Sequence, residues 1–249
     1  MPQAGGAGDS TDRFEDPPIP ASWGLVSLGL LVAVVFGPPV AAIGFANISF
    51  WIVVAGASTW ALAVLVKRFL ASGANRLFRS RTSDSGLATL QGALSAALEL
   101  GVAGLFLARS PHWTIGEVLA FASAAGSAEA LYVLIVGAAT KRDPEKEAAW
   151  ARGGRESICV RYQVPLERFS ALIGHTGSRG LVYLGLRDGT RFGLLLIAIA
   201  FVLFTAVDGV AYFGHLRRWD WLEPRTCRKV HVFFFSISGA ELLLFAVFR

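Results

Sequence analysis

Five ionisable residues, Glu99, Glu129, His175, Asp208 and Glu241, stand in stretches of chain that are otherwise apolar. Carboxylates and an imidazole so placed suit three kinds of chemistry: ligation of a hard or borderline divalent metal, general acid–base work, and proton relay. A charge at the centre of a bilayer costs about 2.5–3.5 kcal/mol on insertion scales, so residues of this kind are usually paired or functional. Each also has a structural alternative, because a protonated acid hydrogen-bonded across helices does no chemistry. Arg179, one helical turn from His175, reads as the counter-charge of a carboxylate, and Glu241 reads as a structural group or as a partner of Arg179.

The elements that must position these residues are transmembrane helices. The 249 residues are 54% hydrophobic and 16% charged, with a mean hydropathy of +0.54. That apolar excess is more than one soluble core of this size can hide. A helix needs about 20 mostly apolar residues to cross about 30 Å of hydrocarbon. Seven segments qualify: 23–45, 50–70, 87–108, 114–139, 166–186, 193–215 and 230–248. The expected fold is therefore an all-α, polytopic transmembrane bundle of about seven helices over residues 23–249, preceded by a disordered cytoplasmic tail over 1–22. Gly37-Pro38-Pro39 predicts a kink or break in the first span. The fifth span is the most polar, with Arg168, His175 and Arg179 inside it. Residues 140–165 read as a solvated connector in preference to a short amphipathic surface helix. Cys159 and Cys227 fall in separate polar loops with no metal-finger spacing, which argues against a structural disulfide.

The charge balance is basic, with 23 Lys and Arg against 18 Asp and Glu. The bases lie in short loops between apolar runs, so they speak for membrane topology and not for nucleic acid. With the N-terminus inside, 17 of them fall on the cytoplasmic side: Arg13 in the tail, five from Lys67 to Arg81, six from Lys141 to Arg161 and five from Arg217 to Lys229. Only Arg109, Arg187, Arg191 and Arg249 fall on the other side, while Arg168 and Arg179 belong to the fifth span. Glu167 suits the positive end of that helix, and Arg168 beside it is expected to snorkel to the interface.

Depth ties the five ionisable residues together. Counted from the cytoplasmic ends of their spans, they sit 7 to 12 residues in, which is roughly 10–18 Å at about 1.5 Å per residue. Small-residue stripes accompany them: Gly92, Ser95 and Ala103 with Glu99, and Ala122, Gly126 and Ala130 beside Glu129. The spacing predicts one interior pocket holding Glu99, Glu129, His175 and Asp208.

The order of these segments resembles the YhfC-type intramembrane metallopeptidases, distant relatives of the CAAX-processing and PrsW-like membrane proteases. The stretches that carry the resemblance run from about Phe50 to Tyr212: SAALELGVAGL, AAGSAEALYVL, LERFSALIGHTGSRGLV and FTAVDGV. The chain matches that family's motifs at Glu99, at Gly126, Glu129 and Ala130, at Glu167, Arg168 and His175, and at Asp208. The resemblance implies catalytic roles for Glu99 and Glu129, a metal site of Glu129, His175 and Asp208, zinc as the divalent ion, and a membrane-embedded peptide as substrate. It also implies residence among membrane lipids, in the plasma membrane of a prokaryote. The chain departs from the motifs in two places. Leu98 and Leu100 flank Glu99, so the paired carboxylate is absent, with Val102 or Ala103 in place of an Arg. Phe204 stands where the fourth motif has a His. These departures make it a divergent member, either active or retained as a non-catalytic binder. Two other functions fit the same residues: a small transporter or proton relay, and an assembly protein whose polar groups only specify helix pairing.

Overall fold

The computed structural model describes residues 19–140 and 143–249. Most of the expected tail, residues 1–18, and three of the counted bases, Arg13, Lys141 and Arg142, lie outside the described residues. Among the described residues nine α-helices follow in order: α1 (Ala21–Val40), α2 (Phe50–Phe78), α3 (Asp84–Leu107), α4 (Ile115–Ala139), α5 (Pro144–Glu156), α6 (Ile158–Arg161), α7 (Gln163–Asp188), α8 (Arg191–Leu216) and α9 (Pro224–Phe248). There is no strand among the described residues, and the all-α bundle expected from hydropathy is the architecture found.

Local chemistry sets the helix ends. Ser83 caps α3 through Gly86 N, and Thr190 caps α8 through Phe192 N. Thr114 and Glu117 form a reciprocal capping box at the start of α4. Pro144 and Pro224 open α5 and α9, where a missing N–H costs nothing. α7 ends at Gly189, whose φ of +63° is open to glycine at no steric cost. Gly37-Pro38-Pro39 does not break the first span. α1 runs on to Val40 and then widens into a π-helical turn over Ala41–Phe45, and the Val34 carbonyl, which Pro38 cannot pair, accepts from Ser127 Oγ at 3.0 Å.

Among the described residues six helices are long and apolar enough to cross a membrane: α1 with its π turn, α2, α3, α4, α8 and α9. Their outward faces carry exposed Leu62, Leu105, Ile135, Leu194, Val202 and Leu243, as lipid contact requires. Trp51 and Trp113 stand at one end of the bundle, and Trp23, Trp150, Trp219 and Trp221 at the other, the pattern of interfacial aromatic belts. The seventh long helix, α7, has 26 residues but is more polar. Its polarity has a structural cause. It packs on α1, α3, α4, α8 and α9, and every residue from Gly174 to Gly185 is buried, so it needs no lipid-compatible face.

Residues 144–156, expected as connector, instead form α5. Trp23 of α1 meets Trp150 edge-on at 6.0 Å and lies under the Arg161 guanidinium at 4.2 Å, while Trp150 Nε1 donates to Val160 O at 3.0 Å. These contacts dock α5 and α6 against the end of the bundle where α1 begins and α2 ends, referred to below as the α5 end. An apolar core fills the opposite end, built around Leu107, Val118, Phe121, Leu181, Leu196 and Phe245.

Candidate functional site: a charged cavity beneath the α5 end

A cavity of about 200 Å³ lies inside the bundle, lined by Lys67 of α2, Glu99 of α3, Glu129 of α4, Glu167, Arg168 and His175 of α7, Asp208 of α8 and Glu241 of α9. Six helices thus contribute ionisable groups to one space. Close helix approach makes this reach possible. A Cβ on Gly126 would stand 2.7 Å from Leu172 Cα, so glycine there lets α4 press on α7 and brings Glu129 to His175.

The four residues expected to share a pocket do so, each tied to a neighbour. His175 Nε2 lies 2.5 Å from Glu129 Oε2, and its Nδ1 is hydrogen-bonded to Arg179 Nη1. Arginine can only donate, so Nδ1 is the acceptor and Nε2 carries the proton given to Glu129. The other Glu129 oxygen accepts from Arg168, which also bonds Glu167. Lys67 Nζ donates to Glu99 Oε1 at 2.8 Å and to Ser95 Oγ at 2.9 Å, and lies 3.8 Å from Asp208. Ser95 in turn hydrogen-bonds Asp208. Arg179, fully buried, reaches Glu99 Oε2 at 3.5 Å, as expected of a counter-charge.

Two members of the network depart from expectation. Lys67 was assigned to a loop, but α2 continues to Phe78 and so holds Lys67 roughly 16 Å inside the helix end, at the depth of the acids. Arg168 was expected to snorkel outward. It is only 9% exposed and turns inward to Glu129 instead, because a carboxylate in a low-dielectric interior attracts it more strongly than the interface does.

A catalytic zinc needs about three side chains with free lone pairs and an open position for water. Among the described residues, no group of three or more His, Cys, Asp and Glu is arranged to hold a metal ion. His175 has both ring nitrogens committed, Glu99, Glu129 and Asp208 each face a resident Lys or Arg, and Phe204 lies beside the His175 ring at 5.7 Å where a second imidazole would be needed. As placed, these residues do not fit zinc.

The cavity borders the α5 end. Glu167, Ala211 and Phe234 line both it and a second space of about 750 Å³ at the α5 end, walled by α5 and by the α8–α9 loop with Trp219 and Trp221. α8 and α9 each pack on α7 far more than on one another, and Glu167, Ala211 and Phe234 stand where the two spaces meet. Comparison with protein-family models, with curated proteins and with solved structures gave no match to this chain.

Proposed function

We propose that this protein is a membrane-embedded binder of single-span peptides, built on a bundle of the intramembrane-metallopeptidase type and no longer catalytic. The observation that carries this reading is the occupation of every would-be metal ligand by a fixed cation or donor, above all His175 held between Arg179 and Glu129. The motif positions Glu99, Glu129, His175 and Asp208 converge on one cavity, which supports descent from a site that once worked together. The sparse packing of α8 on α9, with Ala211 and Phe234 lining both spaces, supports access for a peptide from that side. In this reading the α5 end faces the cytoplasm of a prokaryotic cell, in line with the bias of Lys and Arg toward that side.

A second reading, proton relay, is favoured by the hydrogen-bonded run Asp208–Ser95–Lys67–Glu99. The apolar plug of Leu107, Val118 and Phe121 at the other end leaves that run without an exit across the membrane.

The test uses the full chain in lipid nanodiscs. Elemental analysis is expected to find far less than one zinc per chain. A set of single-span peptides with Leu, Asn, Asp or Lys at mid-span, each carrying a photocrosslinker, is expected to label α8 and α9 near Ala211 and Phe234. Stoichiometric zinc that falls in both His175→Ala and Glu129→Gln would overturn the non-catalytic reading. Absence of labelling by every peptide would overturn peptide binding.

A further inference from the structure

Five carboxylates line the cavity: Glu99, Glu129, Glu167, Asp208 and Glu241. Four have a basic partner, Glu99 and Asp208 with Lys67, and Glu129 and Glu167 with Arg168. Glu241 is the exception: the expected partner Arg179 acts on it only through space, without a hydrogen bond or ion pair. It is 1% exposed, and among the described residues no hydrogen bond or ion pair reaches it, with Oε1 fully enclosed. A buried carboxyl without a partner is costly, so its retention in the middle of α9 asks for a ligand.

The local packing aims the carboxyl into the cavity and keeps the space before it open. A Cβ on Gly177 would stand 2.5 Å from Leu242 N, so α7 and α9 meet backbone to backbone at this level and fix where Glu241 leaves its helix. A Cβ on Gly174 would stand 3.4 Å from Glu241 Oε2 and 2.9 Å from Ser238 Oγ, so the missing side chain at 174 keeps the space before Oε2 and the Ser238 hydroxyl clear. The charges set the sign of the ligand. With five acids against Lys67, Arg168 and the adjoining Arg179, the site lacks positive charge. The volume sets its size. About 200 Å³ is below the usual range for a drug-sized ligand, yet it admits a narrow alkyl chain ending in one ammonium group.

We infer that Glu241, with Ser238 beside it, is the recognition site for a lysine ammonium carried within the span of the bound peptide. This rests on the peptide-binding reading above and names the peptide's chemistry. A basic residue stranded in hydrocarbon is unfavourable for the peptide. Passage between α8 and α9, which pack little on one another, lets it exchange lipid for a carboxylate.

The experiment compares crosslinking yield and affinity in nanodiscs for single-span peptides with Lys or norleucine at mid-span, against wild type and Glu241→Gln. The Lys peptide is expected to bind wild type about tenfold or more tightly than the norleucine peptide, as a charge-assisted contact in a buried site gives. Glu241→Gln is expected to abolish that preference while melting no lower than wild type, since an amide is easier to bury than an unpartnered carboxylate. Equal binding of the two peptides to wild type overturns the inference and leaves peptide binding standing. Retention of the preference in Glu241→Gln overturns it too, as does a lower melting temperature with the preference intact. Failure of both peptides to bind overturns this inference together with the reading beneath it. Should Glu241→Gln not fold, the Lys and norleucine comparison on wild type still decides the sign.

Discussion

The two halves of α7 face opposite problems. From Glu167 to Arg179 the helix carries two arginines, a glutamate and a histidine, and needs Glu99 of α3 and Glu129 of α4 to make them tolerable. From Leu181 to Leu184 it carries only apolar groups and Tyr183, whose hydroxyl donates to the carbonyls of Trp113 at 2.5 Å and Pro111 at 3.1 Å. In a membrane the apolar half gains little from leaving lipid, which is as apolar as leucine, so shape and dispersion hold it together. The polar half has no acceptable alternative solvent. The comparison teaches that the energetic weight of this fold sits where its sequence is least hydrophobic.

Breaking one partnership in the polar half should give the largest effect. Arg179→Met leaves Glu99 with Lys67 alone and frees the Nδ1 lone pair of His175. Removing one partner of a buried pair costs about 3–5 kcal/mol, and denaturation in mixed micelles should show a loss of that order. The double substitution Arg179→Met with Glu99→Gln should recover much of it, because the stranded charge is then gone. A single variant as stable as wild type would mean that the network is not energetically coupled.

Phe121→Ala makes the matching cut in the apolar half. Phe121 is fully buried and stacks on Phe106 at 5.5 Å. In water such a truncation costs about 3–5 kcal/mol. Here the unfolded reference lies in lipid, and only packing is lost, so about 2 kcal/mol is expected from dispersion of about 0.1–0.2 kcal/mol per atom pair. A loss larger than that of Arg179→Met would reverse the comparison between the halves. Thr114→Ala, which opens the capping box at the apolar end, should cost less again, about 1 kcal/mol, read by hydrogen exchange confined to the first turn of α4.

The same contrast explains what the sequence made legible. Glu99, Glu129, His175 and Asp208 could be placed at one depth because a helix rises by a fixed amount per residue, and depth alone brought them to one cavity. Lys67 escaped because hydropathy cannot tell a helix that ends at residue 70 from one that continues, still helical, to Phe78. Arg168 escaped because its long side chain reaches either the interface or the interior, and only a partner on another helix, Glu129, decides which. α5 was hidden for a related reason: the loop composition permitted a helix, but the surface it docks on, Trp23 and Arg161, is assembled from distant stretches of chain. The weakest apolar signal, in α7, marked the most central helix, since a helix shielded by five others is free to be polar.

The smallest expected effect is a pH dependence at the α5 end. Glu223 caps α9 by accepting the backbone N–H groups of Thr226 at 2.5 Å and Arg225 at 3.0 Å. Those donors, Thr226 first, hold its carboxyl below the usual carboxylate range. A carboxyl depressed in the folded state contributes stability above its unfolded value of about 4.3, and the contribution is lost as pH falls through the lower, folded value. Fraying of the first turn of α9 should therefore grow as pH falls from about 5 toward 3. Hydrogen exchange at Arg225–Cys227 across that range reads the effect directly. Glu223→Gln should leave the turn looser at neutral pH and flatten its acid response, because a neutral amide accepts more weakly and does not titrate. Identical pH profiles for wild type and Glu223→Gln would show that the cap contributes nothing to the acid limb, and that the α5 end owes its order to Trp23, Trp150 and Arg161 instead.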